Sequence, residues 1–560
     1  MKLLKKIDDN ILKALLMLFV FFIPLFPKFP FHVVNYTYIA IRLDDLLCAI
    51  LAVVFIVQLV RKKVSFKDLP YKKLFAAFWV VVFLSFLSGM YITKTVEFPF
   101  VALLHSARRI EYMMMFFIAY SVIKTSADFK KLLFTFLTSL FLINIYGIGQ
   151  RFFEFPAIST MNPEFAKGRI LFLTPEARLS STFAGHYDLA AYLVLMIPLL
   201  WGLFMYAKRI QISQKMKAFT LGISLLPIVL AAYTLSGISA ETINHIPIAG
   251  TLFSPLNQLV VGTILFAISM YLVLFNQLGK SLIFFTIVLS TLSLVLTASR
   301  TSSIAYIVST LPYLLYIRKF RYFIIAVVLS VGVSTFDTEL AQRWLKTVQI
   351  RQVVVNENTG EEVVVQKLKK DSLPAGNAII RTRNTLPVTA EAQLTKKDLL
   401  ARATLSGQLN ASGSAMTEDD YTVISAVAAD TSISTRLQVS WPRAFKAFLK
   451  NPLLGSGPSS ISESSDGDYF RWIGETGALG ALLFLGIIAT VLKGIYAARN
   501  KISEEGRFLI VGLMFGTLGL MVNAILIDVF EASKVAYLFW TLLGVFSGMS
   551  FLEKDAIKKV

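Results

Sequence analysis

Cysteine occurs once in this 560-residue chain, at Cys48, and histidine only four times. A single thiol excludes an internal disulfide framework and any metal site built on several cysteines. His32, His105, His186 and His245 show no ligand spacing, which argues against a histidine-based metal centre. No GxxxxGK[ST], HExxH, GxSxG or CxxC pattern is present. The usual phosphate loop, zinc protease helix, serine-hydrolase elbow and dithiol redox pair are therefore missing. Acidic residues are also scarce, 35 against 55 Lys and Arg, for a formal net charge of +20.

What the chain has in abundance is apolar sequence: 56% of its residues are hydrophobic and the mean hydropathy is +0.66. Runs of roughly 20 apolar residues recur from about 11–27 to 535–552, each long enough to span a bilayer as a helix. The runs at 259–275, 281–298, 302–317 and 322–335 are short, so the pattern predicts about twelve to fourteen transmembrane helices. The expected fold is an all-α polytopic membrane protein, and a soluble one is excluded.

The basic balance invites a nucleic-acid reading, but its distribution opposes it. With the N-terminus inside, most Lys and Arg fall in cytoplasmic segments, among them Arg61, Lys62, Lys63, Lys72 and Lys73. This positive-inside bias places both termini in the cytoplasm and the longest polar stretch outside. Contact with anionic lipid accounts for the rest of the charge. Residues 1–27 resemble a signal sequence but lack an A-x-A site, and are read as the first helix.

Three regions follow: a transmembrane bundle over 1–335, an extracytoplasmic loop over 336–470, and C-terminal transmembrane helices over 471–560. A smaller outer loop, 151–187, carries Arg151, Lys167, Arg169 and Arg178, against the charge rule that orders the rest. In the large loop, two Val-rich runs around Asn-Glu-Asn-Thr-Gly predict a β-hairpin at 348–367. Residues 371–430 have little periodicity and read as flexible or weakly helical. Over 434–449, Leu437, Trp441, Phe445 and Phe448 recur at helical spacing with Arg436, Arg443 and Lys446 between them, which predicts an amphipathic helix on the membrane surface.

Arginines near the outer face carry the strongest chemical signal. Arg300 lies in a Thr/Ser turn, T-A-S-R-T-S-S, between two apolar runs. An arginine there is costly unless an anion or the headgroup layer receives it. Arg178, Arg300, Arg436 and Arg443 could together neutralise a diphosphate, because guanidinium forks grip phosphate oxygens bidentately. Each could equally anchor a helix end to lipid phosphates. Asp466, Asp468 and Glu475 flank the last outer helix, where one could take a proton from a sugar hydroxyl. Asp466 and Asp468 could instead only cap that helix. Gly455–Ser460 (GSGPSS) reads as a turn more than as a phosphate cradle. Arg42, Asp44, Asp45, Arg109, Glu111, Asp528 and Glu531 lie in or beside apolar spans and read as structural ion pairs, Arg42 with Asp45 or across helices to Glu111.

Several segments, in order, resemble the O-antigen ligase/polymerase family of bacterial membrane glycosyltransferases: IRLDDLL, RRIEY, YGIGQRF with ISTMNPEFAKG, RLSSTFAGHYDLAAYL, LTASRTSS, and SWPRAFKAFLKNPLLGSGP through GETGALG. The resemblance implies a glycosyltransferase C-like helical fold at the cytoplasmic membrane, whose outer loop closes over an undecaprenyl-diphosphate-linked glycan. Its donor is that lipid-linked glycan, its acceptor a glycan or lipid, and it needs no cofactor or metal. A chain-length regulator is an implied partner; nucleic acid is not. Arg300 with one or more of Arg178, Arg436 and Arg443 would hold the diphosphate. Ligases of this type carry a histidine and an amide residue eleven and ten positions before the first Gly of a G-x-x-G pair. Here that pair is Gly477 and Gly480, and those positions hold Asp466 and Gly467. Asp466 or Asp468 is the nearest substitute base, which favours a polymerase over a ligase. The rival from another class is a transporter, a lipid-linked glycan flippase or an anion carrier. It predicts inverted repeats and a polar path across the bilayer, neither of which the sequence shows.

Overall fold

The computed structural model describes residues 2–33, 40–160, 168, 170–174, 177–207, 280–334, 350–356, 421–427, 435–461 and 466–550, with scattered positions between 214 and 273. Its helices are α1 (Lys2–Leu25), α2 (Leu43–Val60), α3 (Lys72–Leu87), α4 (Pro99–Val122), α5 (Ser126–Phe152), α6 (His186–Tyr206), α7 (Ser281–Leu296), α8 (Arg300–Tyr316), α9 (Phe320–Ser334), α10 (Trp441–Lys450), α11 (Asp468–Ala497), α12 (Glu504–Asn523) and α13 (Ser533–Ser550). Two antiparallel strand pairs accompany them: β1 (Pro30–Val33) with β2 (Ala40–Arg42), and β3 (Ile350–Asn356) with β4 (Tyr421–Val427).

Among the described residues, six helices are long and apolar enough to cross a membrane: Leu43–Val60, Lys72–Ile92, Ser126–Phe152, His186–Tyr206, Asp468–Asn500 and Glu504–Asn523. Ser281–Leu296 and Phe320–Ser334 are shorter apolar helices. The protein is an all-α polytopic membrane protein. The spans expected at 218–238 and 259–275 lie largely outside the described residues, as do 371–420 and the second arm of the expected hairpin at 348–367. Strand β3 forms where the first arm was expected, but its described partner is β4, in the register Ile350 to Val427 and Asn356 to Tyr421. The stretch read as flexible or weakly helical thus contributes a strand at Tyr421–Val427, whose β-branched residues suit a pleated ribbon.

The chain divides into two compact units, the first of residues 1–80, 107–342 and 482–560, the second of 81–106 and 343–481. In the first, α12 lies along α6 and α8, α7 packs on α5 and α6, and α1 packs on α5. Close approach of α12 to α6 depends on Gly512 and Gly516, spaced four apart on one helix face. A Cβ on Gly512 would meet the Pro198 carbonyl oxygen at 2.7 Å, and one on Gly516 would collide with the Leu195 oxygen. Such small-residue seams let membrane helices pack without a hydrophobic driving force between them.

Buried charges staple the first unit. Lys534, 2% exposed, donates to the backbone oxygens of Pro24 (3.2 Å), Phe26 (2.7 Å) and Thr182 (2.7 Å). One ammonium thereby ties α13 to the end of α1 and to the loop before α6. Arg109 donates to Glu531 at 2.7 Å and Tyr537 to Glu111 at 2.7 Å. Arg108 reaches both oxygens of Asp45, at 3.0 and 3.1 Å. The expected structural pairing of these charges is present with different partners. Asp45 pairs with the Arg108 side chain and caps the backbone N–H of Arg42, while Glu111 meets a tyrosine. The reason is geometric: Asp45 at the third position of α2 is placed to receive its own helix's N-terminal amide.

In the second unit, α11 is broken at Gly477, whose φ of 65° and ψ of −171° belong to a region only glycine enters readily. The turn before it fills the break. Ser456 and Gly457 donate their N–H groups to the oxygens of Gly474 and Glu475 at 2.9 and 3.0 Å. In return Ala478 and Leu479 donate to the oxygens of Pro452 and Leu453 at 2.9 and 3.2 Å. Backbone groups that the kink strands are thus satisfied reciprocally. A π-turn at Ser88–Ile92 closes the other side, with Thr95 Oγ1 donating to the Ser456 oxygen at 2.5 Å and Ser85 Oγ to that of Glu475.

Candidate functional site

In the first unit, the loop before α6 carries Arg178 to the turn between α7 and α8. Leu179 N–H donates to the Leu296 oxygen at 3.0 Å, one residue before the T-A-S-R turn begins. That turn bends through Ala298 at φ 48°, and the Arg178 loop bends through Ser181 at φ 51°. Two non-glycine residues in the left-handed region within three positions of the two arginines mark backbone strain of the kind that clusters at functional sites. Both loops are braced. Gln150 Nε2 donates to the Ser181 oxygen at 2.8 Å, and Ser181 Oγ to that of Ile143 at 2.7 Å. Ser299 caps α8, and Ser302 Oγ donates to Asn523 of α12 at 2.9 Å.

The result is a compact group of Arg178, His186, Tyr187 and Arg300. Arg178 Nη1 lies 2.9 Å from His186 Nε2 and 3.5 Å from the Tyr187 hydroxyl. Arg300, 8% exposed, is within electrostatic reach of Tyr187 and Arg178. Among the described residues, Arg178 has no carboxylate partner. Two guanidinium groups held close are mutually repulsive until an anion is shared between them. His186 opens α6, and no metal or catalytic spacing in the sequence singles it out. The only signal is a polar Gly-His-Tyr-Asp start, Gly185 to Asp188, directly ahead of a long apolar run.

In the second unit the remaining candidates meet different partners. Arg436, 5% exposed, donates to Asp466 Oδ2 at 2.8 Å, and the Trp441 indole N–H donates to the Asp466 carbonyl at 3.3 Å. Trp441 also stacks on Phe470, with ring centroids 4.2 Å apart, which seats α10 on the first turn of α11. Glu475, 1% exposed, accepts from the Ser459 N–H at 3.2 Å, and Arg471 Nη1 lies 3.5 Å from it. Asp468 is fully buried at the head of α11. Arg443 lies on α10, which follows a π-turn at Arg436–Ser440 and buries Ala444 and Ala447 while exposing Phe445 and Leu449. Of the amphipathic segment expected at 434–449, residue 434 lies outside the described residues, 436–440 form the π-turn and the α-helix begins at Trp441, with Phe445 and Leu449 exposed.

Of the three carboxylates read as candidate bases, Asp466 is thus ion-paired and Glu475 engaged with a backbone amide. The GSGPSS stretch spends the amides of Ser456, Gly457 and Ser459 on protein oxygens, as a structural turn does, leaving those three unavailable to a phosphate. Arg471, paired one turn from Glu475, went unnoticed in the sequence because i, i+4 charge pairs on helices are ordinary.

Residues 285–485 match the O-Antigen ligase family. That stretch holds Arg300, Arg436, Arg443, Asp466, Asp468 and Glu475, and stops short of Arg178 and His186. A comparison with curated proteins finds no match to the chain.

Proposed function

We propose that this chain is a membrane glycosyltransferase of the O-antigen ligase family and that it polymerises glycan repeat units carried on undecaprenyl diphosphate at the outer face of the cytoplasmic membrane. The observation that carries this reading is the arginine group of Arg178 and Arg300, two cations from separate loops beside His186 and Tyr187. A departing lipid diphosphate gains negative charge as the anomeric C–O bond breaks. Preorganised guanidinium groups stabilise that charge without a metal or nucleotide. The positive-inside bias of the sequence favours an outer-face position for this group.

Polymerisation is favoured over ligation because Asp466 and Gly467 stand where ligases of this type carry a histidine and an amide. The acceptor is then the glycan end of a second lipid-linked chain. The test uses purified protein in nanodiscs with a short undecaprenyl-diphosphate oligosaccharide, its products resolved by gel. The expected result is a ladder of longer glycans from wild type and none from Arg300→Ala. A wild type that binds the lipid but makes neither ladder nor transfer product overturns the polymerase reading. Movement of the intact lipid across liposomes would then favour a flippase.

A further inference from the structure

The contact between Arg178 and His186 has a chemical consequence. A guanidinium nitrogen, always a donor, lies 2.9 Å from His186 Nε2. Such a contact requires a lone pair on Nε2, so the ring is neutral with its proton on Nδ1. Nε2 is therefore a base already in its working protonation state, occupied by a cation that a diphosphate would draw away. Resting on the reading above, we propose that His186 is the general base for the acceptor hydroxyl, masked by Arg178 until the donor binds.

Donor diphosphate has a stronger claim on Arg178 than a neutral ring does, because it joins opposite charges and offers two oxygens to the guanidinium fork where the ring offers one lone pair. Arg178 turns to the phosphate oxygens, beside Arg300, and releases Nε2. The acceptor oxygen then attacks the anomeric carbon and forms the new C–O bond. The bond from that carbon to the diphosphate oxygen breaks, and its electron pair leaves on the undecaprenyl diphosphate. The hydroxyl proton passes to Nε2, and the imidazolium later loses it to solvent. Among the described residues, the Tyr187 ring packs on that of His186 with centroids 3.9 Å apart, and Arg300 lies in the field of Tyr187 and Arg178. Asp188, next along α6, lies in the field of Lys28 and Lys534 instead.

This arrangement couples the base to the donor. An empty site has no free base to activate water, which protects the reactive donor from hydrolysis. It also gives the chain a histidine base in a different loop from the position where Asp466 stands.

The test compares wild type with His186→Gln in nanodiscs, using an undecaprenyl-diphosphate oligosaccharide as donor. Glutamine can still accept from Arg178 through its amide oxygen but cannot carry the proton. Donor binding, measured by displacement of a fluorescent undecaprenyl diphosphate, is expected within threefold of wild type. Turnover is expected to fall at least 100-fold, and the acid limb of the pH–rate profile to disappear. Imidazole added to His186→Gly is expected to restore part of the rate. Two outcomes overturn the proposal: turnover of His186→Gln within threefold of wild type, or a loss confined to donor affinity. The second would make His186 a mere seat for Arg178. A wild type that binds donor and makes no product defeats the polymerase reading and this base with it. An active wild type with an unimpaired His186→Gln defeats the base alone.

Discussion

Arginine is used in two opposite ways in this molecule. In the second unit Arg436 and Arg471 each face a carboxylate, Asp466 at 2.8 Å and Glu475 at 3.5 Å. In the first unit Arg178 faces a neutral imidazole and a phenol, with Arg300 nearby. A carboxylate-paired guanidinium has little net charge left to offer a ligand and chiefly holds protein to protein. One held by neutral groups keeps its charge and gives up its partner readily. The difference separates two of the four arginines that the sequence singled out: Arg178 faces no carboxylate among the described residues, whereas Arg436 faces Asp466.

The sharpest way to break this comparison is to remove one cation from each unit and measure glycan formation. Arg178→Ala or Arg300→Ala is expected to lower turnover by about 10²–10³, the usual cost of losing one preorganised charge stabiliser. Arg178→Ala should keep the protein's thermal stability, because among the described residues no carboxylate faces Arg178. Arg436→Ala is expected to lower turnover less and stability more, since it removes a side chain that is only 5% exposed and packed in the second unit. Equal kinetic losses at Arg300 and Arg436 would show that charge pairing in the resting protein does not predict the clamp.

Next in size is the structural side of the second unit. Gly477→Ala puts a Cβ where φ is 65° and ψ −171°, against the Leu453 carbonyl. The backbone penalty alone is about 1–3 kcal/mol, and the four reciprocal hydrogen bonds across the kink depend on that geometry. A melting curve in detergent should shift down by several degrees. An unchanged midpoint would mean that the turn at 451–460 does not need the kink.

How much of this was legible in sequence follows from which interactions are local. Apolar runs marked α2, α5, α6, α11 and α12, because membrane helices satisfy their own backbones and announce themselves by length. The spacing of Trp441, Phe445 and Phe448 disclosed α10 for the same reason. The T-A-S-R turn and Arg300 were visible because an arginine between two apolar runs has few explanations. Pair identities were hidden. Nothing local says that Asp45 meets Arg108, that Arg436 meets Asp466, or that β3 pairs with a strand more than sixty residues away. His186 escaped because a lone histidine at a helix start is commonplace. Its meaning comes from Arg178, eight residues earlier on a loop whose path Leu179 and Ser181 set by long-range bonds.

A finer cut uses Asp466, which stands where related ligases carry their histidine. Its side chain is 46% exposed, so the pair with Arg436 contributes about 0–1 kcal/mol. Asp466→Asn should therefore leave the melting midpoint within a few degrees of wild type. If His186 supplies the base, turnover changes less than threefold. A 100-fold loss of turnover with donor binding intact would move the base to Asp466 and reverse the ranking of the two units.

The smallest expected effect lies away from both, at the start of the chain, where it calibrates what a solvent-exposed pair is worth here. Asp8 accepts from Arg61 at 2.6 and 2.8 Å and from Lys63 at 2.5 Å. Hydrogen bonds from Arg61, then Lys63, hold its carboxyl well below the usual carboxylate range. A depressed folded-state value means the carboxylate's contribution is present above the unfolded value, near 3.8, and is lost as pH falls below it. Melting midpoints of wild type and Asp8→Asn should therefore differ slightly at pH 7, the gap should begin to narrow as pH falls below about 3.8, and salt should shrink it at pH 7. A gap as large as that of Gly477→Ala would mean that exposed pairing orders α1 against α2 more strongly than its solvent exposure allows. The contrast between neutralised and poised arginines would then need recalibrating against that value.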